Sequence, residues 1–106
     1  DVAAEQPAIA ATMRDLAAAL RAGEVDAAVA LFAPEVRNDY RDLFAAHPQR
    51  LAAMAAPLDA ATLSFLSAYA EAEDGRRSAE VAVQVDGITF AVALVKVDGR
   101  WLIKTL

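Results

Sequence analysis

A chain of 106 residues with no cysteine and a formal net charge of -5 is bounded to one domain, without disulfides or thiolate metal sites. A pI near 4.7 excludes the basic footprint of a nucleic-acid binder and argues against docking on anionic lipid, and no apolar run reaches transmembrane length. Hydrophobic residues make up 58% but aromatics only 7%, so an alanine-rich core rests on a few large side chains.

Residues Asp1 to Gln6 read as a polar, flexible lead-in to a single domain over 1–106. Such a start fits a mature exported protein that has lost its signal peptide, and it fits a trimmed chain equally well; the compartment expected is periplasmic or secreted. Pro7 suits the first position of a helix, where a missing N–H costs nothing. Ile9, Met13, Leu16 and Leu20 then recur on one helical face, and Gly23 supplies the stop. A short second helix carries Val25, Val29 and Phe32. Pro34 opens a third, with Val36, Tyr40, Leu43 and Phe44 as its apolar side. Pro48 starts a last one through Leu51 and Met54, ended by Pro57.

The second half changes period. Three evenly spaced Asp-Gly pairs, at Asp74-Gly75, Asp86-Gly87 and Asp98-Gly99, predict two-residue type I′ turns. They divide the remainder into four strands, about 62–73, 76–85, 88–97 and 100–106, joined as an antiparallel meander. The fold class expected is therefore α+β, with N-terminal helices packed on one face of a four-stranded sheet. Pairing through the last two turns puts Val81, Val83, Val85, Ile88, Phe90, Val92, Leu94, Trp101 and Ile103 on one apolar face. In the first hairpin, strict pairing puts Leu66, Ala68 and Ala70 inside, whereas a one-residue bulge puts Leu63, Phe65 and Tyr69 there. The opposite face carries Ala82, Ala91, Ala93, Val95 and Leu102, small and β-branched residues with charges near the rim. That pattern predicts a sheet-to-sheet contact and hence a homodimer.

The segment Gly23 to Val36 (Gly-Glu-Val-Asp-Ala-Ala-Val-Ala-Leu-Phe-Ala-Pro-Glu-Val) and the closing Val97 to Ile103 (Val-Asp-Gly-Arg-Trp-Leu-Ile) resemble the nuclear transport factor two-like superfamily. The resemblance implies a cystatin-like cone of helix on curved sheet. Because no early hairpin separates the helices, the chain is nearest the short, helix-first variants. That superfamily holds isomerase-like and cyclase-like enzymes as well as non-enzymatic dimers and binding modules, so the resemblance does not choose a function.

Catalysis in such a cone needs an acid or base inside an apolar cavity, whereas the predicted inner strands carry Val, Ile, Leu, Phe and Trp. His47, the single histidine, precedes Pro48 and reads as a surface turn residue. Asp39 and Tyr40 are adjacent on a helix and do not share a face. No nucleophile set, phosphate loop or metal-ligand spacing is present, and no cofactor is expected. The expected function is a non-enzymatic binding or dimerisation module whose pocket for a small apolar ligand or a protein partner draws on Tyr40, Phe44, Met54, Phe90 and Trp101. The alternative is a small isomerase or cyclase acting on an apolar substrate through Asp39, Tyr40 or His47.

Overall fold

The computed structural model describes residues 2–60, 62–71 and 73–106, with side chains over 4–58 and 73–106. Helix α1 runs Val2–Arg21, α2 Val25–Val29, α3 Arg37–Ala46 and α4 Leu51–Ala60. Single 3-10 turns at Pro34–Val36 and Pro48–Arg50 lead into α3 and α4, each opened by a proline whose fixed φ suits a helix start. Strands β1 Thr62–Glu71, β2 Arg77–Val85, β3 Ile88–Val97 and β4 Arg100–Thr105 follow, antiparallel, in the order β1-β2-β3-β4. The chain is α+β, with its helices against one face of that sheet.

Three helix boundaries differ from expectation. α1 begins at Val2, so the segment expected as a flexible lead-in is helical and Pro7 lies inside the helix. The cause is tertiary: the Glu5 carboxylate takes two bonds from Lys96 Nζ, at 3.1 and 3.2 Å, and a third from the indole N–H of Trp101, which fixes the first turns against the sheet. Pro57 does not end α4 but sits within it, with the helix running on to Ala60. Phe32 belongs to no helix. Its segment turns extended beside β4, where Ala33 N–H donates to Ile103 O at 2.8 Å and Ile103 N–H donates to Leu31 O at 2.9 Å. This parallel bridge covers the β4 edge of the sheet, and Phe32 is fully buried.

The last two hairpins have the expected register, with Val83 opposite Phe90, Val85 opposite Ile88, and Lys96 opposite Trp101. Their turns hold both central residues at positive φ, Asp86 at 50° and Gly87 at 78°, Asp98 at 50° and Gly99 at 80°. A Cβ added at Gly87 would meet nothing within 4 Å, so the cost of substitution there is purely conformational. Gly87→Val is expected to lower stability by about 1–3 kcal/mol, read as a shift of the urea midpoint at unchanged slope.

Asp74-Gly75 is not a two-residue turn. β1 ends at Glu71 and β2 begins at Arg77, and the Asp74 carboxylate accepts from the backbone N–H of Arg76 at 3.1 Å, an Asx turn that widens the loop. The β1–β2 ladder pairs Leu63 with Val83 and Phe65 with Val81, then shifts register between Phe65 and Ser67 and again before Ala70. Which side chains of β1 face inward lies outside the described residues.

Arg76 reaches further. Its guanidinium bonds Asp74 at 2.6 Å and Glu35 at 3.1 Å, and Glu35 belongs to the 3-10 turn just beyond the segment that flanks β4. A bond from the start of β2 to that turn crosses β3 and β4. Arg76 is the main cause lowering the carboxyl pKa of both Glu35 and Asp74, and Lys104 adds to it, so Lys104 lies near this cluster, at the point where the β3–β4 register shifts.

The main core joins Ile9, Leu16, Leu20, Phe32 and Phe44 from the helical half to Val81, Val83, Val92, Leu94, Trp101 and Ile103 from the strands. The inner-face assignment fails at one end. Along β3, Ile88 is 68% exposed and Phe90 37%, while Val92 and Leu94 are fully buried. All four point to the same side of the sheet; β4 pairs with β3 only as far as Ala93, so Ile88 and Phe90 lie where β3 has no neighbour on that side, while Val83, opposite Phe90 on β2, stays fully buried.

Candidate functional site

Beside the part of β3 that runs past β4, an apolar groove opens. Leu20 at the end of α1, Leu43 and Phe44 of α3, Met54, Pro57 and Leu58 of α4, Phe90 of β3 and Leu106 line a cavity of about 280 Å³. Among the described residues, three of the four large hydrophobic side chains that are exposed, Leu43, Phe90 and Leu106, stand on its walls, and the fourth, Ile88, lies farther out on β3. Its floor is Phe44, buried edge-on against Phe32 with ring centroids 5.9 Å apart. Among the described residues that line the groove there is neither acid nor base.

Of the side chains expected around a pocket, Phe44, Met54 and Phe90 are brought together there. Tyr40 is behind them: its ring stacks on Phe32 at 4.0 Å, and its hydroxyl accepts from the backbone N–H of Leu106 at 3.0 Å. That bond holds the terminal residue at the groove edge. Trp101 is elsewhere. It packs near the start of β4 against α1, its carbonyl taking the Thr12 hydroxyl at 2.8 Å, and it borders a separate surface recess with Ala8, Ala11 and Asp15. Trp101 therefore lies in the main core and not on the groove lining, since inward-facing positions on β3 and β4 are spread along the whole sheet.

Leu20, Leu43, Pro57, Leu58 and Leu106 complete the groove and were not singled out as pocket residues. At α3, Tyr40, Leu43 and Phe44 follow the ordinary i, i+3, i+4 spacing of a core-facing stripe, so spacing gave no signal that Leu43 would stay accessible.

The outer-face patch is also corrected. Val95 and Leu102 are 2% and 4% exposed within the single chain, and Ala82 is buried too. None of the three belongs to the main core. Ala91 is exposed and Ala93 half-buried, so only those two expected interface positions offer surface to a second copy.

Two ionic clusters flank the fold. Lys96 holds the Glu5 carboxyl below its ordinary pKa by hydrogen bonding, with the Trp101 indole adding to the effect, and Lys96 Nζ sits 6.0 Å from the indole centroid. Arg76 does the same for Glu35 and Asp74, helped by the backbone N–H of Glu35 in the first case and its own in the second. A carboxylate with a lowered folded-state pKa stabilises the fold above its unfolded value, about 4.3 for Glu and 3.9 for Asp, and that stability is lost as pH falls through the folded value. The urea midpoint is therefore expected to drop from pH 5 to pH 3, and to drop less in a Glu5→Gln, Glu35→Gln variant that is already weakened at pH 7. Parallel curves for the two proteins would contradict these pairings.

Asp39 and His47 are exposed, and neither they nor Tyr40 line the groove. Among the described residues no group of three or more His, Cys, Asp or Glu is placed to hold a metal ion, and no helix is long and apolar enough to cross a membrane. Comparison of the chain with protein-family models, with curated proteins and with solved structures found no match.

Proposed function

We propose that the chain is a small binding module of the nuclear transport factor two-like kind, and that it works without catalysis through the groove at the open end of its sheet. The observation that carries this reading is the convergence of Leu43, Phe90 and Leu106 on one concavity. Leaving that much apolar surface in water costs about 25 cal/mol per Å² relative to covering it, and clustered exposed apolar surface marks recognition sites. The helix-first order and the closing Asp98-Gly99-Arg100-Trp101 turn and strand support the family reading. The isomerase or cyclase alternative needs an acid or base within reach of a substrate in the groove, and its three candidate residues lie off the lining.

The two methionines supply the test. Met54 lines the groove, whereas Met13 is buried in the core. In protein labelled with ¹³C at the methionine methyls, a panel of apolar compounds is expected to shift the Met54 signal and leave Met13 in place. A panel that moves neither signal, with no non-covalent mass retained in native mass spectrometry, would end the reading.

A further inference from the structure

We infer that the groove selects uncharged hydrophobic molecules of about two fused rings and discriminates against fatty acids and other apolar anions. This rests on the binding reading above and adds the ligand class. Size comes first: an apolar cavity of roughly 150 Å³ lined by Leu, Ile and Phe accepts benzene, and this groove measures about 280 Å³. Charge comes second. A carboxylate or sulfonate moved onto an apolar wall loses hydration and needs a counter-ion or a donor in return. The lining offers neither among its described residues. Four of the ten cations are engaged away from it: Arg37 on the carbonyl of Phe32, Arg41 on Asn38, Arg76 on Glu35 and Asp74, and Lys96 on Glu5. The one polar group directly behind the site, the Tyr40 hydroxyl, already accepts the Leu106 N–H. An overall charge of -5 adds a further penalty for any anion. Met54 and the aromatic rings of Phe44 and Phe90 suit a flat aromatic guest, since thioethers and ring edges pack well on π surfaces.

Two probes with one skeleton separate charge from hydrophobicity. N-phenyl-1-naphthylamine is neutral; 1-anilinonaphthalene-8-sulfonate is the same frame carrying a sulfonate. Fluorescence titration of the full chain should show one-site saturation by the neutral probe and at least about tenfold weaker binding of the sulfonate, a difference of about 1.4 kcal/mol. Leu43→Lys, at a rim position that is 43% exposed, should reverse that order by giving the sulfonate a counter-ion. Phe90→Ala should weaken both probes, with circular dichroism confirming that each variant is folded. If the native protein binds the sulfonate as well as the neutral probe and both respond to Leu43→Lys, the groove is a binding site but the ligand class is wrong. If neither probe saturates, or binding ignores both variants, the class and the binding reading fall together. Loss of the neutral probe as protein concentration rises, matched by dimer in sedimentation, would make a second copy the occupant and overturn the proposal.

Discussion

Trp101→Ala is expected to lower stability by about 3–5 kcal/mol, the range for truncating a fully buried large aromatic. The indole is 3% exposed and in the main core, and its N–H donates to Glu5. Removing it leaves a void between α1 and β4 and takes one of three hydrogen bonds from a carboxylate that holds the first turns of α1. The loss is a large part of the 5–15 kcal/mol typical of a domain, so the melting temperature should fall by 10 °C or more by the usual scaling of about 4–8 °C per kcal/mol. Phe90→Ala is the matched control. At 37% exposure, with its ring on a groove wall, it should cost about 1–2 kcal/mol, since only part of its surface leaves water there on folding. Equal losses in the two variants would mean that the helical layer covers the whole sheet face, and that the groove is not open.

Phe32→Ala should have the second large effect, again about 3–5 kcal/mol. Its ring is fully buried, stacked on Tyr40 at 4.0 Å and edge-on to Phe44 at 5.9 Å, contacts worth about 0.5–1.5 kcal/mol each beyond area burial. It also anchors the segment paired with β4. Its loss should therefore loosen Tyr40 and, through the Tyr40 hydroxyl, Leu106 at the groove edge. A urea midpoint lowered with the probe affinity retained would separate its packing role from any effect on the groove. Tyr40→Phe isolates the second step: with the ring stack kept, the fold should hold while the groove loses its fixed terminal wall.

How much of this could be read from the residues depends on what encodes it. Registers from β2 to β4 were legible because an Asp-Gly pair demands positive φ at two adjacent positions, and a two-residue turn fixes the pairings that follow it, as far as the shift between Ala93 and Leu94 in the last hairpin. The first Asp-Gly was not legible as an Asx turn, since that choice depends on the Asp74 side chain meeting the Arg76 N–H rather than on residue type. Alternation identified the face that Ile88 and Phe90 belong to, and it carries no information about what covers each position on that face. Ile88 and Phe90 lie beyond the last β3 residue that pairs with β4, and the groove borders that stretch. Likewise Phe32 completes a helical spacing with Val25 and Val29, and leaves the helix because β4, some seventy residues later, offers its backbone a better partner. Pro7 and Pro57 marked boundaries by local rule, and packing elsewhere in the fold overrode both.

Several ties between the helical half and the sheet described above end late in the chain: Glu5 on Lys96 and Trp101, Thr12 on Trp101, Phe32 on Ile103, Tyr40 on Leu106. β4 carries most of these ties, and it is the last of the four described strands in chain order. During synthesis these particular ties wait through the translation of β1, β2 and β3 before their partners exist, a matter of several seconds at about 5–20 residues per second. Contacts of such long sequence separation must meet loop-closure entropy before any of them is rewarded. The high alanine content of α1 and α4 then has a second use: small side chains keep helices formed by local propensity while exposing little sticky surface during that interval.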